Sequence, residues 1–370
     1  MTDRATAGST TGGGDSPATG AAANQGAGAV RDGFHFDEGR LADWMAQHVD
    51  GFRGPLEVTQ FRGGQSNPTY RLITPGKSYV LRRKPPGRVA HGAHAVDREA
   101  RVQQALATVD FPVARIHALC TDDSVIGSWF YVMDMVEGRI FWDATLPEVP
   151  QTDRTAYYNE MNSVLSRLHR VDLDAVGLED YGRRGDFVRR QIARWTKSYH
   201  ADPDAGRDAG MDALIEWLPG AVPQEDETAL IHGDYRCDNL VFHPQEPRVL
   251  AVLDWELSTL GHPVADFAYH AMMYRMPPDI VAGLGGSDPR ALGLPDEDAY
   301  LTAYCRNTGR AAIPDYNFYI AFNLFRLAAI FHGIKGRAMR GNAASAHAQE
   351  RAKAFPRLVE LALDAAKDCR

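Results

Sequence analysis

Two short polar segments in the second half of the chain carry acidic and amide side chains at a distinctive spacing. The first reads HGDYRCDNL and places Asn239 five residues after Asp234. The second reads VLDWE and has Asp254 at its centre. In ATP-dependent phosphoryl transfer, the first Asp accepts the proton of the attacking hydroxyl, whereas the Asn and the distant Asp hold magnesium on the phosphates. Asp234 is therefore the candidate general base, and Asn239 and Asp254 are the candidate metal ligands.

The residues before each acid predict how the two segments come together. Apolar runs at 229–231 and 249–253 each predict a short buried strand that ends just before a carboxylate. Carboxylates that emerge from neighbouring strands can converge on one metal ion. A single Asp at a strand end is also a common turn residue. The ordered combination of both motifs, rather than either Asp alone, indicates a functional site.

The first half of the chain predicts a small antiparallel sheet. The runs LEVTQF, TYRLIT and SYVLRR, separated by turns, indicate a three-stranded meander. The first turn contains Gly63, Gly64, Ser66 and Asn67, whose backbone and polar groups could lie against nucleotide phosphates. A plain flexible hairpin is an equally good interpretation of this loop alone. The PGKS segment lacks the earlier glycine of a phosphate-binding loop and predicts the second hairpin turn.

The third strand of this meander ends in a run of cations. Alternation along the strand places Arg82 and Lys84 on the same face, and either could grip the phosphates of a nucleotide. Arg82 has the better position, although solvated cations at a sheet edge are the simpler interpretation. A helix predicted at about 95–106 carries Glu99, which could pair with the strand cation and orient it.

The run FYVMDMVEG predicts a buried strand that leads into a hinge between two lobes. The backbone around Met133 and Met135 could there bind the edge of an adenine ring. Two lobes are also expected from the length of 370 residues. We expect a disordered Gly/Ala/Thr/Ser-rich tail at 1–32, a nucleotide-binding lobe at 33–138, and a catalytic and substrate-binding lobe at 139–370.

Composition and charge restrict the class of protein. The net charge of -8 argues against nucleic acid as a general partner. No apolar run approaches the roughly 20 residues that a membrane span requires. The four cysteines have no CxxC spacing and predict a reducing, cytoplasmic environment. Neither a GxSxG nor an HExxH motif occurs, so a hydrolase is a weaker interpretation.

The order of the motifs resembles that of one known family. Together with HGDYRCDNL, the segments GGQSNPTYRL, YVLRRKPPG, HAVDREARV, YVMDMVEGRIF, LHRVD and VLDWELSTLGHPVADFAY resemble the aminoglycoside phosphotransferase family. They look most like the branch whose kinase domains occur fused to acyl-CoA dehydrogenases. The resemblance covers about residues 35–365. It implies an α+β, protein-kinase-like bilobal fold with an antiparallel N-lobe sheet and a mostly helical C-lobe, with ATP and Mg²⁺ as cofactors and small-molecule hydroxyl groups as acceptors.

The resemblance also implies residue roles. Asp234 would be the general base, Asn239 and Asp254 the magnesium ligands, Asp266 a buried acid that steadies the catalytic loop, and His232 a packing residue. One departure concerns the third strand, where better-known members of the family carry a Lys and this chain reads LRRK. Either Arg82 serves there or the last Lys of that segment reaches in, and a guanidinium grips phosphate differently from an ammonium group.

The second lobe is where acceptor selectivity is expected. Its amphipathic stretches predict helices at about 154–170, 186–199, 297–308, 316–336 and 346–366. Between positions 326 and 357 stand seven basic residues and one acid, Glu350: the basic residues are Arg326, Lys335, Arg337, Arg340, Arg351, Lys353 and Arg357. This balance favours an anionic acceptor, such as a hydroxy acid or hydroxyacyl-CoA, with Arg326, Lys335 and Arg337 as candidate binding residues. A solvated helix end is the competing interpretation.

Several alternatives remain open at the level of sequence. Aromatic residues of the 316–336 helix, among them Phe318, Tyr319, Phe322, Phe325 and Phe331, could line a groove for an acyl chain, or could simply be core. An aminoglycoside or other amino-alcohol kinase is the alternative activity. A catalytically silent, kinase-like nucleotide-binding protein is the alternative of another class. The sequence specifies neither the acceptor molecule nor the oligomeric state.

Overall fold

A six-stranded antiparallel sheet forms the first lobe of the computed structural model, which describes residues 26–62, 67–87, 94–224, 227–281, 283–340 and 346–369. The sheet order is β1-β2-β3-β4-β6-β5. The strands are β1 (Ala27–Gly28), β2 (Glu57–Phe61), β3 (Thr69–Ile73), β4 (Ser78–Arg83), β5 (Ile116–Cys120) and β6 (Phe130–Asp134). The predicted meander is thus β2, β3 and β4, and the PGKS segment forms the turn between β3 and β4.

The end of the predicted N-terminal tail is part of this sheet. Ala27 and Gly28 pair with Phe61 and Gln60 at the sheet edge, so the predicted tail boundary at residue 32 is wrong. Backbone pairing at a sheet edge needs no side-chain pattern, and composition alone therefore did not reveal it. Residues 1–25 lie outside the described residues.

Three helices belong to the first lobe: α1 (Glu38–His48), α2 (Val96–Ala107) and α3 (Asp123–Ile126). Helix α2 is the one that matters for the site. It buries Val96, Glu99, Ala100 and Gln103 at the i, i+3, i+4, i+7 spacing of one helical face. Glu99 therefore lies on the side of the helix that faces the sheet, where it meets the cation of β4.

The second lobe is mostly helical, with two small antiparallel sheets that hold the polar loops. Its helices are α4 (Arg154–His169), α5 (Phe187–His200), α6 (Ala209–Ala221), α7 (Pro263–Ala271), α8 (Glu297–Thr308), α9 (Tyr316–Met339) and α10 (Ala346–Lys367). Its strands are β7 (Ala229–Ile231), β8 (Leu240–Phe242), β9 (Val249–Val252) and β10 (Thr259–Gly261), paired as β7 with β10 and β8 with β9. All five predicted helices are present. No described helix combines the length and apolar character that a membrane crossing would need.

Helix α9 is a core helix rather than the wall of a groove. Five of its aromatic residues are at most 4% exposed and belong to the main hydrophobic core: Phe318, Tyr319, Phe322, Phe325 and Phe331. The interpretation of these aromatics as an acyl-chain groove is therefore wrong. Helix α9 packs against α5, α7 and α10, and buried aromatic area on all sides supplies much of the stability of the lobe.

Candidate functional site

The loop that follows β7 carries the candidate base, Asp234. Its carboxylate accepts a hydrogen bond at Oδ1 from the hydroxyl of Tyr269, at 2.6 Å. Asn239 Nδ2 donates to the backbone oxygen of Asp234 at 2.9 Å and to its Oδ2 at 3.3 Å. One oxygen of the base is thus held by a phenol, and the loop between Asp234 and Asn239 is closed by the amide.

Burial and nearby charge have opposite effects on the pKa of the Asp234 carboxyl. Burial raises the pKa of its carboxyl above the usual range, while the nearby guanidinium of Arg236 and the hydrogen bond from Tyr269 oppose the increase. A raised pKa makes a carboxylate a better proton acceptor, as general-base catalysis requires.

Asp254 lies beside the same loop because β9 ends next to it. The backbone N–H of Leu253 donates to the carbonyl oxygen of Asn239 at 2.8 Å, which brings the two candidate metal ligands together. Asp254 has a left-handed backbone, with φ of 62°, a conformation that is uncommon for a residue with a side chain and is concentrated at functional sites. Its Oδ1 accepts from Arg82 Nη2 at 2.6 Å.

The chemistry of this pair fits magnesium. Asn239 Nδ2 makes both hydrogen bonds to Asp234. The amide oxygen of Asn239, Oδ1, is therefore the atom that could bind a cation together with the Asp254 carboxylate. Mg²⁺ takes oxygen ligands and is usually held by one or two carboxylates together with substrate phosphates. Within the described residues, no group of three or more His, Cys, Asp or Glu side chains could hold a metal ion.

Arg82 joins the first lobe to Asp254. Its Nε donates to Glu99 Oε2 at 2.7 Å while Nη2 reaches Asp254 across the cleft. Glu99 is only 1% exposed, and it also accepts from Tyr131 OH at 3.0 Å and from Asn67 Nδ2 at 2.6 Å. Burial raises the pKa of Glu99 and the Arg82 charge opposes that increase. The pairing of strand cation and helix acid predicted from the sequence is present.

Two of the predicted phosphate-binding groups lie elsewhere. The Lys84 ammonium is over the ring of Trp129, 3.9 Å from its centroid, and 3.9 Å from the Asp97 carboxylate. Lys84 is not among the residues that line the cleft, whereas Arg82 is. Asn67 is buried and its side chain bonds Glu99, so it supports the acid instead of facing phosphates. Gly63, Gly64 and Ser66 lie outside the described residues.

The cleft between the lobes has a volume of about 260 Å³ and a mixed lining. Met133 and Met135, at the end of β6, form part of one wall with apolar neighbours. Arg82, Asn239 and Asp254 line the opposite, polar end. An apolar slot with convergent charged groups at one end is the arrangement expected for a nucleotide.

Asp266 fastens the start of the catalytic loop to helix α7. Its Oδ2 accepts from the backbone N–H of His232 at 2.9 Å, and its Oδ1 accepts from that of Gly233 at 2.8 Å. His169 Nε2 lies 3.1 Å from Oδ2, and these bonds hold the pKa of Asp266 below its usual range. The His232 ring is fully buried, with Nε2 2.8 Å from the carbonyl oxygen of Leu253.

The three basic residues proposed to bind the acceptor do not lie together. Arg326 is close to the catalytic loop: its Nη2 donates to Gly233 O at 3.0 Å and its guanidinium stacks on the Tyr269 ring. Lys335 and Arg337 follow on the same helix, about 14 and 17 Å further along its axis at the usual rise per residue. The three residues therefore do not form one cluster beside the base, and a shared role in acceptor binding stays a prediction.

The charge excess at 326–357 is also partly neutralised within the fold. Arg340 forms ion pairs with Asp202 and Asp204, and Arg357 pairs with Glu360. The basic residues between positions 326 and 357 therefore do not form a single cationic surface. The count along the sequence did not include acids from distant parts of the chain that pair with them.

Two residues at the site were not identified from the sequence. Tyr269 contacts the candidate base directly, and Arg236 lies in the loop itself, with Nε 2.9 Å from Asp238 Oδ1. Arg236 was visible within the HGDYRCDNL motif, two residues after Asp234. Tyr269 follows Asp266 by three residues on one helix, so helical spacing places both on the face that meets the loop.

An antiparallel-sheet lobe and a helical lobe, with an Asp, an Asn and a second Asp at the edge of the cleft between them, define a phosphotransferase of the bilobal, kinase-like fold. The chain belongs to the phosphotransferase enzyme family, whose sequence profile matches residues 57–322. Its relatives include acyl-CoA dehydrogenase family member 10 of Mus musculus, 45% identical over 84% of this chain and 29% of that protein. Family member 11 of Gallus gallus is 43% identical over 91% of this chain and 44% of that protein. The chain thus spans less than half the length of these two relatives.

Solved structures show the same fold. A provisionally named aminoglycoside phosphotransferase from Ralstonia eutropha is 50% identical, with a TM-score of 0.83 over 91% of this chain and 100% of that one. The macrolide 2'-phosphotransferase MphH from Brachybacterium faecium is 19% identical, with a TM-score of 0.54 over 85% of this chain and 97% of that one. The second likeness shows the fold alone.

Proposed function

We propose that this chain is an ATP- and magnesium-dependent kinase that phosphorylates a hydroxyl group of a small anionic molecule. The observation that carries the proposal is the convergence of Asp234, Asn239 and Asp254: Asn239 and Asp254 line the cleft, and Asn239 is hydrogen-bonded to Asp234. These are the residue types that phosphoryl transfer to a hydroxyl requires, in the order in which it requires them. Family membership makes a phosphotransferase the class of enzyme, and the geometry supports the roles that we propose for these residues.

Asp234 is the proton acceptor in this proposal. The acceptor oxygen forms a bond to the γ-phosphorus of ATP while the bond from that phosphorus to the bridging oxygen breaks, which gives a phosphoester and ADP. The hydroxyl proton passes to Asp234 Oδ2, because its hydrogen bond from Asn239 is long, at 3.3 Å, whereas Oδ1 is held by Tyr269 at 2.6 Å. A base that is held in place keeps the reacting atoms in a productive orientation. Positioning of this kind accounts for much of the rate enhancement in phosphoryl transfer.

Asn239 and Asp254 hold the cation, and Arg82 holds the phosphates. When bound, Mg²⁺ neutralises charge on the phosphate oxygens. Both ligands and Arg82 line the cleft. Arg82 is oriented by Glu99, so its guanidinium can turn from Asp254 to the phosphates while one ion pair remains intact. The apolar slot beside Met133 and Met135 takes the adenine ring.

A hydroxy acid or a hydroxyacyl-CoA is the acceptor that we favour. Relatives at 43–45% identity bear the name acyl-CoA dehydrogenase family member, which suggests acyl-CoA chemistry near this domain. Arg326 supplies a cationic group close to the catalytic loop, where an anionic acceptor would be attracted, whereas the charge of Arg236 is paired with Asp238. An amino sugar, the acceptor class named for the Ralstonia eutropha protein, would be repelled by Arg326.

The proposal is tested by nucleotide binding and product formation. Calorimetry with a non-hydrolysable ATP analogue should show binding that requires magnesium in the wild type and is lost in Asp254→Ala. Incubation with ATP and a panel of hydroxy acids, their CoA esters, amino sugars and amino alcohols should yield a phosphoester from an anionic member. Binding that ignores magnesium, or nucleotide binding without any product across the panel, would favour the catalytically silent alternative.

A further inference from the structure

A second pocket adjoins the nucleotide cleft at the catalytic loop. Arg236, Cys237 and Asp238 form one wall, and Tyr269 forms part of another. Asp238 and Trp142 line both this pocket and the nucleotide cleft, so the two spaces are neighbours. Tyr269, whose hydroxyl bonds Asp234, connects the lining of this pocket to the candidate base.

The remaining walls of this pocket are apolar and rich in methionine. They consist mainly of Trp142, Met272, Met273, Met276, Val281 and Leu327. Methionine side chains are flexible and polarisable, and they adapt to aliphatic groups of different shape. Val281 has a left-handed backbone, with φ of 54°, which is a rare and strained conformation for a β-branched residue. Strain of this kind is concentrated at ligand sites.

The lining carries no net charge at neutral pH. The carboxylate of Asp238 is paired with Arg236 at 2.9 Å. Burial lowers the pKa of His270 to about 4, so its ring is neutral. Burial raises the pKa of Tyr269. A polycationic amino sugar would lose its hydration here without finding an unpaired carboxylate among the described lining residues.

The pocket is small. Its volume is about 40 Å³, compared with about 260 Å³ for the nucleotide cleft. A space of this size suits an aliphatic chain better than a sugar ring. Burial of each methylene would contribute about 0.8 kcal/mol, which corresponds to about a fourfold gain in affinity.

We propose that this pocket binds the aliphatic chain of the acceptor, with the acceptor hydroxyl at Asp234 and the chain running past Tyr269 between Met273, Met276 and Val281. The pocket would then determine acceptor specificity through chain length. This inference rests on the proposed function, because it assigns a subsite to the acceptor of that reaction. It narrows the acceptor class to hydroxy acids or hydroxyacyl thioesters with an unsubstituted alkyl portion.

The test uses straight-chain hydroxy acids and their CoA thioesters that grow by one methylene at a time. Binding to the full chain is measured by calorimetry with magnesium and ADP present, and kcat/KM is measured with magnesium and ATP. In the wild type, affinity and kcat/KM should each rise by about fourfold per methylene until the pocket is filled. The binding measurement does not depend on turnover.

Two variants alter the pocket, and each has a matched control. Val281→Trp should fill the space and flatten the dependence on chain length, whereas Val109→Trp, at a valine that is 46% exposed, should leave that dependence intact. Met273→Gln keeps the side-chain size but makes the wall polar, and should reduce the gain per methylene. Met339→Gln, at a methionine that is 63% exposed, is its control. Circular dichroism and magnesium-nucleotide binding establish that each variant is folded.

The possible results separate the two proposals. A flat chain-length series in the wild type, or an unchanged slope in folded Val281→Trp and Met273→Gln, would overturn the pocket assignment. If phosphoester forms only from amino sugars and no slope is found, the phosphotransferase activity stands and the pocket assignment fails. If binding strengthens with chain length but no acceptor is phosphorylated, the pocket assignment stands and the proposed function fails.

Discussion

Arg82 on strand β4 and Asp254 after strand β9 form a 2.6 Å ion pair that spans the cleft between the two lobes. The same guanidinium is bonded to Glu99 by a different nitrogen. The planar arrangement of its N–H groups thus lets one side chain contact both acids at once. A lysine has a single head group and cannot reproduce both geometries. We therefore expect Arg82 to contribute both to nucleotide binding and to the stability of the fold.

Substitution of the two strand cations should distinguish their roles. We expect Arg82→Met to weaken binding of a magnesium–ATP analogue by at least about tenfold, since a charged hydrogen bond contributes about 1.5–3 kcal/mol. It should also destabilise the fold by about 3–5 kcal/mol, because Glu99 would remain buried without its partner. Arg82→Lys, which retains a charge, should fall between wild type and Arg82→Met. Calorimetry and urea denaturation give the two quantities.

Lys84→Met is the matched control for that experiment. The Lys84 ammonium contacts Trp129 and lies outside the cleft lining, so nucleotide affinity should stay within about twofold of the wild type. A greater loss of nucleotide affinity in Lys84→Met than in Arg82→Lys would show that the wrong cation has been assigned to the phosphates.

Removal of the Tyr269 hydroxyl should alter the pH dependence of catalysis. The base must be ionised, so kcat/KM should fall as pH decreases through the pKa of Asp234, which burial raises above its usual range. The hydrogen bond from Tyr269 lowers that pKa, so Tyr269→Phe should move the acid limb of the profile to higher pH. We also expect kcat to fall by about tenfold because the carboxylate loses its anchor. An acid limb that stays in place or moves to lower pH would contradict this account.

Asp266 should contribute to stability in a manner that depends on pH. Asp266→Asn leaves one of two buried backbone N–H groups, of His232 and Gly233, without an acceptor, which costs about 1–3 kcal/mol. The pKa of Asp266 is lowered in the folded state. Its stabilising contribution is therefore complete above the unfolded-state pKa of about 4 and is lost as pH falls through the folded-state pKa. Urea denaturation of wild type and variant should show a constant difference at neutral pH that shrinks in acid.

An equal difference in the free energy of unfolding at all pH values would indicate that the substitution acts through packing rather than through the carboxylate charge. Asp368→Asn, at an exposed acid near the end of the described chain, is a suitable control for the substitution itself.

Local patterns predicted most of the secondary structure. Alternating apolar residues identified β2, β3 and β4, and helical periodicity identified α4, α5, α8, α9 and α10 with boundaries close to those observed. Strand β1 was missed, because a two-residue edge strand has no period to detect. Helix α7 was not assigned either; all of its residues are buried, and a helix buried on every side lacks the alternation between polar and apolar faces.

Site residues could be predicted from the sequence where the elements that position them are adjacent in the chain. Asp234 and Asp254 each follow a short strand that was visible in the sequence, and Asn239 lies between β7 and β8 in the same loop as Asp234. Contacts between side chains that are far apart in the sequence could not be predicted in this way. Asn67 bonds Glu99, Arg340 bonds Asp202, and Tyr269 bonds Asp234 only because the chain folds back on itself. Counting charges along the sequence therefore overestimated the cationic character of the 326–357 segment, because Arg340 and Arg357 are paired with acids.

The central claim is that Asp234 accepts the proton of an acceptor hydroxyl in a reaction that consumes magnesium–ATP. Its most direct test compares kcat for phosphoester formation in wild type and Asp234→Asn, with calorimetric affinity for magnesium and an ATP analogue measured on both proteins. We predict a fall in kcat of about 10² to 10⁴ with nucleotide affinity nearly unchanged. Wild-type turnover in folded Asp234→Asn would contradict the assignment of the base and, with it, the proposed mechanism.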